Sequence, residues 1–286
     1  MEASTTIRYV PLPRGMLPHV AAMFIVDCGP DGFDETMLPE MGVALLAIAG
    51  DWTWGTSPSG RQSRLGFATL IGPQARAIRV TGSPQGRVAG FALSPLGWSL
   101  LVDKPAHLMM GRAIPMEDLF DEADELVEHL AAAPSGDRLT ERLALWLEQR
   151  LNLSAAADPS IARLSAALAD PAVNSVEALA AASGLTRGML DKRCPGIFGL
   201  DPESLIARQT FLHALRGLQQ AAFEDRAAGF HGGYPDEAAF RRAFRAYMGQ
   251  LVEDYLASPG LLLKAGLRAA TAAAAAAAHQ SGPLNA

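Results

Sequence analysis

GYPDEAAFRRAFRAYMG, residues 233–249, and VEALAAASGLTRGMLDKR, residues 176–193, are built alike. In the later stretch Gly233 makes a turn, and Tyr234, preceding Pro235, is pushed to an extended conformation. Pro235–Asp236 then starts a helix. Phe240, Ala243, Phe244 and Tyr247 stand at i, i+3, i+4 and i+7, so one side is buried. Arg241, Arg242 and Arg245 face away from that stripe. In the earlier stretch Val176, Leu179 and Ala180 form an apolar face, and Gly184 ends the first helix. Thr186 stands at an N-cap position, and Met189 and Leu190 line the inner face of a second helix. Arg187, Lys192 and Arg193 lie on that helix, with Gly188 leaving room between them. This is the specification of a helix-turn-helix, whose second helix enters the major groove of DNA N-terminus first. The turn glycines are 49 residues apart, and Glu203–Leu218 reads as a helix connecting the two units. Such a pair addresses successive major-groove segments about 34 Å apart.

Upstream the texture differs. Eleven of the 19 prolines fall within residues 1–116, among short runs rich in β-branched and aromatic residues. Val20–Asp27, Val43–Ala49, Leu65–Ile71, Ala75–Thr81 and Arg87–Leu93 read as strands of a small β-sandwich or barrel. A short helix is expected at Gly97–Val102. Met116–Ala133 and Asp137–Leu153 each carry an apolar stripe at helical spacing. The reading is therefore α+β in two domains. A β domain spans 1–116, connecting helices span 117–153 and a linker spans 154–160. An all-α double helix-turn-helix spans 161–260, and an Ala-rich tail spans 261–286, frayed or disordered.

Residues 175–256 resemble the paired helix-turn-helix domain of the AraC/XylS transcriptional regulators. The resemblance rests on LAAASGLTRGMLDKR…FGLDP and on GYPDEAAFRRAFRAYMG…DYL. Leu17–Val20, Leu38–Gly42, Gly90–Trp98 and Ile114–Phe120 similarly resemble the cupin-like sensor domain that precedes this module in one branch of the family. Together the likeness covers roughly residues 7–256. It implies that Thr186, Arg187, Lys192 and Arg193 meet DNA in the first unit. In the second it implies Asp236, Glu237, Arg241, Arg242 and Arg245. It also implies a small-molecule effector at a domain that senses it or holds a dimer. The chain departs from the family pattern at Cys194-Pro195-Gly196, at Thr210, in the glycine-loosened 228–232 and at Leu251-Val252. Proline at 195 removes a helix hydrogen bond and clashes with the Asp191 carbonyl, so the first recognition helix is expected to end near Arg193.

Other chemistry finds little footing. The six histidines, His19, His107, His129, His213, His231 and His279, have no paired metal-ligand spacing. No phosphate-binding, dinucleotide-binding or nucleophile-elbow motif occurs, so neither an enzyme nor a cofactor or metal is expected. Cys28 and Cys194 read as packing residues of a reduced, cytoplasmic protein with no leader peptide and no membrane span. Trp52 and Trp54, two apart in WTWG, share one face of a strand and either line a ligand pocket or belong to the core. Net charge is −6, and residues 175–260 hold nine basic against ten acidic side chains. That balance leaves an alternative: a degenerate AraC-like protein acting through protein–protein contacts without strong DNA binding.

Overall fold

The computed structural model describes residues 4–38, 41–56, 60–102, 104–151, 158–223, 233–257 and 260. Most of the expected 154–160 linker, the 228–232 stretch and the Ala-rich tail lie outside the described residues.

The strand-rich half is two antiparallel sheets. Strands β1 (Thr6–Tyr9), β2 (Val20–Asp27), β4 (Val43–Ala49), β7 (Ala68–Ile71), β9 (Arg87–Leu93) and β10 (Ala113–Pro115) form one, in the order β1-β2-β9-β4-β7-β10. The other runs β3-β8-β5-β6, from Phe33–Met37, Ile78–Gly82, Trp52–Thr56 and Ser63–Arg64. The central strands of the larger sheet are apolar on both faces, and their two-residue period sorts them into two cores. Phe24, Val26, Val43, Leu45 and Val88 point toward the second sheet, where they meet Phe33, Trp52, Ile78 and Val80. Met23, Ile25, Ala44, Leu46, Ala89 and Phe91 point the other way, onto helices. Those helices are α1 (Pro95–Leu101), α2 (Ala123–Ala131) and α3 (Gly136–Leu151). Trp146 of α3 closes this layer, with the Phe120 ring edge-on at 5.3 Å and Phe91 at 6.2 Å.

Two expectations change here. The helix read over 116–133 is broken: Met116–Asp118 is a 3-10 turn and α2 starts only at Ala123. Met116 and Phe120 are both drawn into the core, and Glu122, with a non-helical backbone, pairs with Arg150. Strands β1, β3, β6 and β10 were not among those expected: the first three carry exposed polar residues and β10 is three residues long, and Asp34 of β3 is committed to Arg79 of neighbouring β8.

The helical half contains α4 (Pro159–Ala169), α5 (Val176–Ser183), α6 (Arg187–Phe198), α7 (Pro202–Phe223), α8 (Glu237–Met248) and α9 (Val252–Ala257). Helix α4 begins inside the expected linker, because Asp158 caps it by accepting from the Ser160 N–H at 2.8 Å. The two halves are packed together. Helix α1 lies against α4 and α6, and Met41 packs on both the β-domain helices and the α4–α6 core. The β7–β8 loop is inserted among the helices: Ala77 is fully buried with Phe211, Phe240 and Phe244. Its N–H donates to the Tyr247 carbonyl at 2.7 Å.

Replacing Trp146 with alanine removes a large side chain from between Phe91 and Phe120. It should cost about 3–5 kcal/mol of stability, read as an earlier unfolding midpoint in urea followed by circular dichroism.

Candidate nucleic-acid interface

Local capping sets the first helix pair, α5 and α6, and in the second the described helix α8. In the first, the Ser175 hydroxyl accepts from Ala178 N–H at 3.1 Å and opens α5. Gly184, at φ +68°, ends α5 in the left-handed region. Leu185 is buried, and the Thr186 hydroxyl then accepts from Met189 N–H at 3.3 Å to open α6. In the second pair Gly233 turns at φ +91°, where a Cβ would lie 2.8 Å from Thr210 Cγ2. The Asp236 carboxylate accepts from Ala239 N–H at 2.6 Å and opens α8. Phe240, Phe244 and Met248 are buried below it. Tyr247 is half-buried and stacks on Phe211 at 4.6 Å. Burial pushes the Tyr234 phenol up to about 12 and raises that of Tyr247, so both stay neutral ring platforms.

Helix α6 does not end at Arg193. It runs to Phe198 with Pro195 inside it, and left-handed Gly199 caps it by donating to the Pro195 carbonyl. The reason is tertiary: Leu190, Cys194 and Phe198, at i, i+4 and i+8, are all buried against the helical core. That burial outweighs the missing Pro195 N–H and the proline's clash one turn back. Burial also pushes the Cys194 thiol up to about 11, as expected of a packing residue.

The outward side chains fall into two groups. Lys192, Arg242 and Arg245 are exposed or partly exposed and have no ion-pair partner among the described residues. The other three arginines are committed. Arg193 reaches back to Asp158 and, at 2.6 Å, to Ser160 Oγ, tying α6 to the start of α4. The Asp158 carboxyl is held below its ordinary range, first by the Ser160 N–H and also by Arg193. Arg187 donates to Asp191 at 3.1 Å and pairs with Glu203, with Glu177 at 4.0 Å. Arg241 donates to Glu237 at 2.9 Å and pairs with Glu253. The Arg187–Asp191 and Arg241–Glu237 pairs follow from i, i+4 spacing. Glu203 and Glu253 arrive from other helices, and no local pattern in the sequence marks them as partners.

Trp52 is core. It is 1% exposed, its indole N–H donates to the Ala49 carbonyl at 3.0 Å, and Phe33 packs on it at 5.6 Å. The ligand-pocket reading of Trp52 and Trp54 therefore yields to packing, with Trp54 partly buried against the same core. Open space lies elsewhere. A cleft of about 460 Å³ separates the two helix pairs, lined by Ser175, Val176, Ile206, Thr210, Tyr234 and Tyr247 among others. A cavity of about 210 Å³ lies between the halves, bounded by Leu93 and Pro95 on one side and Leu168, Phe198 and Leu212 on the other. Among the described residues no group of His, Cys, Asp or Glu side chains is arranged to hold a metal ion. Among them, too, no helix is long and apolar enough to cross a membrane.

No protein-family profile and no curated protein matches the chain. Among solved structures it is similar to ToxT from Vibrio cholerae O395, at 11% identity and TM-score 0.44 over 88% of this chain and 96% of that one. It is similar to the AraC-like transcriptional activator CuxR, at 12% identity and TM-score 0.32 over 73% of this chain and 86% of that one. A cupin superfamily protein from Desulfitobacterium hafniense DCB-2 is similar at 8% identity and TM-score 0.26, over 32% of this chain and 80% of that one. All three likenesses are distant.

Pro195→Ala restores the N–H that can donate to the Asp191 carbonyl and removes the ring. It should stabilise the protein by about 1–3 kcal/mol, seen as a later urea midpoint with an unchanged helical spectrum.

Proposed function

We propose that the chain is a sequence-specific DNA-binding transcription regulator of the AraC/XylS type, with α6 and α8 as its recognition helices. The observation that carries the reading is the repeated frame around them. Each follows a left-handed glycine, is opened by a side-chain cap, buries one stripe and closes on a left-handed glycine. The 22-residue α7 leads on from the first unit. On this reading Arg242 and Arg245, uncommitted and one turn apart, supply the contacts of the second unit to phosphate or guanine. Lys192 supplies those of the first, with Thr186 and Arg187 at the entering end of the helix. Asp236 and Glu237 stand at the entering end of α8, and Arg193 sets the angle of α6 through its hold on Asp158. A small molecule at the β domain would act by favouring one arrangement of the two halves. The cavity between them is where it would have leverage.

The balance of nine basic and ten acidic side chains over 175–260 favours a second reading, a protein–protein module that no longer binds DNA strongly. A salt series separates the two. On the first reading the full chain binds duplex DNA with affinity that falls steeply with salt. Arg242→Ala/Arg245→Ala then weakens binding by about 1–3 kcal/mol for each arginine that pairs with a base, or flattens the salt slope by about 1 for each that neutralises a phosphate. Absence of binding at low salt would turn the search to protein partners.

A further inference from the structure

The two units share a feature beyond their turns. In each, one arginine of the recognition helix is gripped by two carboxylates, one from its own helix and one from the helix that follows. One is a helical turn away on the same helix: Asp191 for Arg187, Glu237 for Arg241. The other is the second residue of the helix that follows: Glu203 of α7 for Arg187, Glu253 of α9 for Arg241. Glu177 adds a further carboxylate near Arg187, at 4.0 Å. All four gripping carboxylates are at the surface, with 50–60% of each side chain exposed, and the guanidinium groups are about half exposed. None of these contacts is part of a core.

An arginine held this way has its planar donor fork filled by carboxylate oxygens. A DNA phosphate or a guanine edge presents the same acceptors to the same fork. Binding DNA through Arg187 or Arg241 therefore requires exchange of one anion for another rather than capture by a free cation. We infer that Glu203 and Glu253 are resident substitutes for the DNA backbone, and that they set the affinity threshold of their units by competing for Arg187 and Arg241. The inference rests on the DNA-binding reading of α6 and α8 and concerns the regulation of that same surface. It explains how a domain with an even charge balance can carry recognition helices: its arginines are occupied until a duplex offers a better-placed anion. It also separates Arg242 and Arg245, ready for first encounter, from Arg187 and Arg241, which engage only after releasing their carboxylates.

The test uses the full chain and a pool of randomised duplexes long enough for two half-sites, titrated across a salt series. Glu203→Gln and Glu253→Gln keep the side-chain shape and remove the charge. Each should tighten binding about two- to fivefold, the equivalent of an exposed ion pair, and make the salt slope steeper. Asp254→Asn is the charge control, since Asp254 neighbours Glu253 but has no ion-pair partner among the described residues. It should have a clearly smaller effect. In an Arg241→Ala background the gain from Glu253→Gln should vanish. Circular dichroism checks that every variant is folded. Binding seen only in the Glu203→Gln/Glu253→Gln double variant would support the inference in its strongest form. If the wild type binds and the glutamine variants bind no tighter, the inference is overturned while the DNA-binding reading stands. The same holds if the gain survives without Arg241, or if Asp254→Asn matches it. If no variant binds even at low salt, the DNA-binding reading itself falls, and this inference with it.

Discussion

The contact on which the rest of the arrangement depends is the insertion of the β7–β8 loop among helices α6, α7 and α8. Pro73 and Met110 close on Gly199 at the end of α6, where a Cβ would lie 2.5 Å from Met110 Cε. The Gln74 carbonyl accepts from the buried Arg208 of α7 at 3.2 Å. Ala77 donates its N–H to Tyr247 near the end of α8 at 2.7 Å. One short loop of the β domain thus touches the C-terminal ends of α6 and α8 and the helix between them. The N-caps of α6 and α8, Thr186 and Asp236, are left exposed.

The sandwich that carries this loop is layered. Its larger sheet is buried on both faces, with Trp52 and Phe33 filling one side and Trp146, Phe91 and Phe120 the other. Trp52 is packed and hydrogen-bonded within the first of these cores. Open space is found at the joins, between the halves and between the two parts of the helical half.

The charge pattern of the helical half follows from the same geometry. Net charge over the module is near balance, yet the balance is not uniform. Acidic side chains collect around Arg187 and Arg241, and Lys192, Arg242 and Arg245 are left without ion pairs among the described residues. Counting charges along the chain could not separate these groups, because Arg187 and Glu203, or Arg241 and Glu253, become neighbours only when successive helices fold back on each other.

What the sequence determined by itself is whatever local chemistry fixes. The glycines at 184 and 233 had to turn, Thr186 had to cap, Pro235–Asp236 had to start a helix, and the stripe from Phe240 to Tyr247 had to be buried, since caps and helical periods depend on residues a few positions apart. The central strands were legible for the same reason, being apolar on both faces. The tertiary structure alone decided the rest. It carried α6 through Pro195 because Cys194 and Phe198 are buried on either side of it, and it broke the helix at 116–133 to seat Phe120 against Trp146. It assigned Trp52 to the core and gave Arg187 and Arg241 their second carboxylates. Each of these outcomes turns on a partner distant in sequence, and only the folded chain brings that partner within reach.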